Sequence, residues 1–146
     1  LKAIIPGGAS TAMLTPEHLD TPMAFETLPA VGSSLGTGAV IVMDETTCIV
    51  QAAQHLAKFF IHESCGGCTT CRIGNQTIAN ILEQIETGKG KEGDIDLLMD
   101  VCNAMIGNTF CPMGTAAVNP IFSSIKHFRD EYEYHIKMKH CQAIAA

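Results

Sequence analysis

Basic residues are scarce in this 146-residue chain: nine Lys and Arg stand against fifteen Asp and Glu, for a formal net charge of −6. Phosphate binding needs a basic face, so nucleic acid is not an expected partner. Long apolar runs are lacking too. The longest, Ala39–Met43, falls far short of the ~20 residues that a membrane-spanning helix requires. No charged start followed by an apolar stretch marks a signal peptide. Internal repeats and low-complexity tracts are absent. There is no Gly-rich phosphate loop set between a strand and a helix: Gly32-Ser-Ser-Leu-Gly-Thr-Gly38 runs into a strand and reads as a turn. No Ser-His-Asp or Cys-His arrangement is recoverable, and the six histidines are scattered. His127 and His135, eight residues apart, form no zinc-protease pattern and are expected to be exposed or partly packed, with Glu131 and Glu133 solvated. The chain begins at Leu1 and enters a strand-like run almost at once, so a piece of a longer polypeptide is expected.

What is present is enough for a core. A composition of 47% hydrophobic and 16% charged residues excludes a disordered segment. The length suits one ordinary domain or two small ones. Residues 1–45 are rich in Gly and Pro. Ala3-Ile4-Ile5, stopped by Pro6-Gly7-Gly8, predicts a short strand, and Ala39–Met43 predicts a buried one. Two strands do not make a stable sheet, so the sheet's other partners are expected upstream.

After Thr46 the period becomes helical. Ile49, Ala52, Ala53, Leu56, Phe59 and Phe60 predict a helix over about 47–62. Ile78, Ile81, Leu82 and Ile85 predict a second, ending near Gly88. Asp94 is the expected N-cap of a third helix, which stops at Gly107. Asn119-Pro120 reads as the start of a fourth, with Ile121, Ile125, Phe128, Tyr132 and Ile136 on one stripe. The expected class is α+β, with 1–45 as one segment and 46–146 as a four-helix domain.

Seven cysteines are an odd count, and three of them form Cys65-Gly-Gly-Cys68-Thr-Thr-Cys71. Without an export signal the expected compartment is reducing, where such clusters are metal or redox sites more often than disulfides. Structural zinc commonly uses two separated Cys-x-x-Cys pairs. This single run suits several corners of an iron–sulfur cubane, with Gly66 and Gly67 letting the backbone approach the sulfurs. Zinc remains the alternative. A cubane needs a fourth ligand, and Cys48, Cys102, Cys111 and Cys141 are the candidates. Cys111 lies in an inter-helix loop and is followed by Pro112, as the last ligand is in bacterial ferredoxins. It is the assigned fourth ligand. Cys102, on the apolar stripe of the third helix, is its competitor and reads otherwise as a small buried hydrophobe. Arg72 reads equally as a cluster-facing or a solvated cation, and Ser64 as a donor to sulfur or a turn residue.

Phe60-Ile-His-Glu-Ser-Cys-Gly-Gly-Cys-Thr-Thr-Cys-Arg72, Gly107-Asn-Thr-Phe-Cys-Pro-Met-Gly114 and Phe128-Arg-Asp-Glu-Tyr132 together resemble the NADH-binding flavoprotein subunit (NuoF or 51-kDa type) of respiratory complex I. Related subunits occur in NAD-linked hydrogenases and formate dehydrogenases. Ile5-Pro-Gly-Gly-Ala-Ser10 and Gly36–Asp44 are similar to the family's β-grasp segment, the SLBB domain, of which 1–45 would be a part. The resemblance runs to about Cys141 and implies a helical [4Fe-4S]-binding domain with Cys65, Cys68, Cys71 and Cys111 as cluster ligands. It also implies a role. The cluster takes single electrons from FMN reduced by NADH in an upstream domain, and passes them to clusters in partner subunits, including a 24-kDa NuoE-type subunit. These residues would then hold no NADH or FMN site and would not be catalytic alone. The expected location is cytoplasmic, or the cytoplasmic or matrix side of a membrane as a peripheral arm subunit. Thr70, Ile73, Pro112 and Met113 stand where the family usually has Pro, Glu, Ala and Leu.

Overall fold

The computed structural model describes residues 1–141 and 143; the last positions of the expected 46–146 domain, 142 and 144–146, lie outside the described residues. Two short strands, β1 (Ala3–Ile5) and β2 (Ile41–Met43), pair antiparallel with Ala3 opposite Met43 and Ile5 opposite Ile41. Four helices follow: α1 (Ile49–Glu63), α2 (Thr69–Glu86), α3 (Asp94–Met105) and α4 (Met113–Met138). α2 and α4 each pack against all three of the others, so together they form the centre of the helical layer. The result is a helix-rich mixed fold with a small two-stranded sheet at one side.

The helices form where one face can be buried. In α2 the buried positions Cys71, Asn75, Ile78, Leu82 and Ile85 recur at three- and four-residue spacing. α3 buries Ile95, Leu98, Cys102 and Met105 in the same way. Ala3, Ile5, Met13 and Met43 join these side chains in one continuous core. Polar ties reinforce that join. Met13 N–H donates to Ser123 Oγ (2.8 Å), Asn119 Nδ2 donates to Ser10 O (2.9 Å), and Lys2 Nζ pairs with Glu131 (2.6 Å).

The structure corrects several expectations. β2 is not a buried strand: Val40, Ile41 and Val42 are exposed and only Met43 turns inward. An apolar run alone cannot distinguish two covered faces from one. α2 begins at Thr69, nine residues before the first residue of its predicted stripe, so Cys71 is helical rather than in a loop. Small and polar residues hide that first turn from a hydrophobic pattern. α3 is capped by Gly93, in the left-handed region at φ 92°, while Asp94 Oδ2 accepts from Lys91 N–H. α4 begins at Met113, not at Asn119-Pro120. Pro120 removes one intrahelical donor, and Asn119 and Ser123 around it turn their side chains to the amino-terminal segment instead. A kink at Phe128 (φ −134°, ψ 32°) then keeps both Ile125 and Tyr132 in the core. His135 is buried at 1% exposure, against expectation, and Glu131 is partly buried and accepts from Ile49 N–H. Glu133 is exposed and pairs with Arg129.

Candidate metal centre

Cys65, Cys68, Cys71 and Cys111 line one small cavity together with Glu63, Ser64, Thr109 and Met113. Its volume is about 100 Å³, well under the roughly 300–1,000 Å³ of small-molecule pockets. A flavin or nucleotide is too large for it. An inorganic centre held by thiolates suits both the size and the donor set.

Local structure explains the convergence. α1 ends at Glu63, and the chain turns through Ser64–Gly67, with Gly66 at φ 75°, a conformation that disfavours a side chain. Cys68 is the N-cap of α2 and Cys71 lies in its first turn. Cys111 immediately precedes Pro112, the N-cap of α4. Two helix N-termini therefore open towards the sulfurs, and their partial positive charge suits a negatively charged centre.

Donors surround the sulfurs. Phe110 N–H donates to Cys68 Sγ (3.3 Å) and Asn75 Nδ2 to Cys71 Sγ (3.4 Å). Ser64 Oγ lies 3.4 Å from Cys71 Sγ, so the Ser64 hydroxyl does face a sulfur. Arg72 does not face the cavity. It donates from Nη1 to Gly66 O (2.6 Å) and braces the turn that carries Cys65. His62 is exposed and pairs with Glu63 (2.8 Å).

The loop with Cys111 is tied down twice. Thr70 Oγ1 donates to Asn108 O (2.6 Å), a bond that proline at this position could not make. Gly114 packs so closely on Thr109 that a Cβ there would collide with the Thr109 side chain. Replacing Thr70 by Val should therefore loosen the loop by about 1 kcal/mol and speed the loss of bound iron to a chelator. Unchanged chelation kinetics would count against this strap.

The other cysteines are elsewhere. Cys102 is fully buried in the core, and burial pushes its thiol up to about 12, so it stays protonated and inert. Cys48 is the N-cap of α1, and its sulfur accepts from Gln51 N–H. Cys141 follows α4 and is buried. No motif in the sequence marks Asn75, Thr70 or the Phe110 amide as part of the site. Asn75 carries a signal in retrospect, being a polar residue on the buried stripe four residues after Cys71.

Residues 51–135 match the family described as the NADH-ubiquinone oxidoreductase-F iron-sulfur binding region. The chain is 49% identical over 141 residues to the F-type NADH-quinone oxidoreductase protein of Mycobacterium tuberculosis, covering 97% of this chain and 32% of that protein. The protein of the same name in Streptomyces coelicolor is also 49% identical, with 97% of this chain and 31% of the relative covered. The chain thus spans about a third of the length of these curated relatives. Among solved structures, the NAD+-reducing [NiFe]-hydrogenase in its H2-reduced state superposes with a TM-score of 0.82 at 36% identity, over 92% of this chain and 23% of the hydrogenase chain.

Proposed function

The chain belongs to the NADH-ubiquinone oxidoreductase-F iron-sulfur binding family, and on that premise we propose that it is the electron-relay part of an NADH dehydrogenase flavoprotein subunit. Cys65, Cys68, Cys71 and Cys111 hold a [4Fe-4S] cluster. The observation that carries this reading is the set of four cysteines around one small cavity, drawn from the α1–α2 turn, the start of α2 and the α3–α4 loop. When bound, the cluster accepts single electrons from reduced FMN and passes them to clusters in partner subunits, among them a 24-kDa NuoE-type subunit.

The protein's own residues set how that happens. The thiolates fix the position of the irons. The Phe110 amide and Asn75 donate to ligand sulfurs, and Ser64 sits within reach of one. Donors to sulfur favour the more negative, reduced state, so they raise the potential. Ser64→Ala should therefore lower the midpoint potential without loss of iron, as a redox titration followed by EPR would report. An unchanged potential would remove Ser64 from this role.

Residues 1–45 are part of an SLBB-like β-grasp segment, and 46–146 form the cluster domain. The exposed Ile41 and Val42 of β2, which pairs with β1 alone among the described residues, support a sheet continued by residues elsewhere in the parent protein. FMN and NADH bind there, so this chain alone is not catalytic. Among the described residues no helix is long and apolar enough to cross a membrane. The location proposed is the cytoplasmic or matrix side, as a peripheral arm subunit. The hydrogenase likeness favours one second reading, the diaphorase subunit of an NAD-linked hydrogenase.

The test is chemical. The chain purified without oxygen should be brown, carry about four irons and four acid-labile sulfides, and show a low-temperature EPR signal after reduction. A colourless preparation with zinc in the four-cysteine cavity would replace this reading with a non-redox docking domain.

A further inference from the structure

A second set of metal-binding side chains lies at the opposite end of α2. Cys48, Glu86, His135 and Cys141 each offer one ligand atom, and these atoms all lie within 4.8 Å of one another. Cys48 is the N-cap of α1, Glu86 the last residue of α2, His135 near the end of α4, and Cys141 just beyond it. Cys48, His135 and Cys141 are buried. Counting from Cys71 at ~1.5 Å per residue, Glu86 is roughly 22 Å along the helix, too far to belong to the four-cysteine cavity.

We propose that Cys48, Glu86, His135 and Cys141 form a separate tetrahedral centre for a divalent transition metal, zinc by ligand type and geometry. With zinc at ~2.3 Å from sulfur and ~2.0 Å from nitrogen or oxygen, tetrahedral angles place S···N and S···O at roughly 3.5 Å and N···O at roughly 3.3 Å. The observed separations are 3.5 Å for Cys48 Sγ to His135 Nε2, 3.5 Å for Cys48 Sγ to Glu86 Oε2, and 3.2 Å for His135 Nε2 to Glu86 Oε2. Two sulfurs with nitrogen and oxygen in tetrahedral array select zinc over magnesium or calcium, which take oxygen donors.

Supporting groups orient the ligands. His135 Nδ1 lies 2.7 Å from Glu131 O. A carbonyl only accepts, so Nδ1 carries a proton and Nε2 is the ring atom left to face Cys48 and Glu86 and to bind an ion. This is the usual arrangement of a metal-bound histidine. Gln51 N–H donates to Cys48 Sγ (3.4 Å). Gly88, at φ 76°, packs against the backbone of Lys139 where a Cβ would collide, which brings the chain after α4 back towards Glu86. A cavity lined by Lys2, Glu45, Thr46, Glu131, His135 and Cys141 opens beside the set and provides a way in for the ion. The metal would pin the end of α2, the start of α1 and the end of α4 together. Its role is structural and independent of the electron relay.

The full chain, prepared without oxygen from zinc-replete cells, should contain about one zinc per chain in addition to its iron. Zinc K-edge absorption should report two sulfurs at ~2.3 Å and two light atoms at ~2.0 Å. Cys141→Ala and His135→Ala should each lower zinc to about a tenth or less while iron is retained. Cys65→Ser should do the reverse. Zinc absent from the unsubstituted chain overturns the proposal, as does a shell of four sulfurs, which places the ion in the four-cysteine cavity. A Cys48–Cys141 disulfide in a zinc-free chain also overturns it. Should His135→Ala fail to fold, the coordination shell of the unsubstituted chain decides alone. An unsubstituted chain that carries zinc in this two-sulfur shell but no iron would sink the proposed relay and leave this centre standing.

Discussion

On the proposed ligand assignment, serine in place of Cys65, Cys68, Cys71 or Cys111 should lower bound iron to roughly a tenth or less of the unsubstituted value, because a cubane corner would lose its thiolate. Cys102→Ala leaves the iron in place. The contrast follows from position. Cys111 and the three clustered cysteines share one cavity, whereas Cys102 sits in the core at 0% exposure, surrounded by apolar side chains. Its thiol, held up to about 12 by burial, has no charge to offer a metal. The Cys102→Ala variant still loses about 1 kcal/mol from the missing sulfur volume. Iron and acid-labile sulfide per chain, with reduced-state EPR on each variant, give the answer. A Cys102→Ala chain devoid of iron beside a Cys111→Ser chain that retains it would overturn the ligand assignment.

The largest effect on stability is expected at Leu82. It is fully buried in the last third of α2, a helix that packs on all three others, so its removal leaves a cavity inside the core. Leu82→Ala should cost about 2–5 kcal/mol, a large share of the ~5–15 kcal/mol typical of a domain. Tyr132→Phe is the matched milder case. Ser124 donates its hydroxyl proton to Ile121 O (2.8 Å), so the Tyr132 hydroxyl is the donor in the 2.6 Å contact with Ser124 Oγ. Losing that donor while keeping the ring should cost about 1 kcal/mol. Urea unfolding of the two variants at constant metal content measures both. A Leu82→Ala loss no larger than that of Tyr132→Phe would mean that α2 is not at the centre of the core.

Much of this was legible along the chain. The stripes Ile78–Leu82–Ile85 and Leu98–Cys102–Met105 mark helices because a 3.6-residue period with one buried face leaves a local record. The Cys-x-x-Cys-x-x-Cys run and the Cys111 loop stood out by composition. Boundaries were less legible. The first turns of α2 and α4 are built from Thr, Cys, Gly and Met, and their ends are set by the loops they must meet. Pro120 looked like a beginning and lies inside a helix, because neighbouring polar side chains are held by another segment.

The residues themselves determined what kinds of ligand the chain could offer, and how its helical faces divide into buried and wet. Only the folded chain decided which ligands meet. Cys48 and His135 are 87 positions apart and share no motif, and Glu86 and Cys141 have none either, yet all four converge. Periodicity is a property of neighbours in sequence. Convergence of helix ends depends on their lengths, their packing and the close approach of Gly88 to Lys139, none of which is written in any single stretch of the chain.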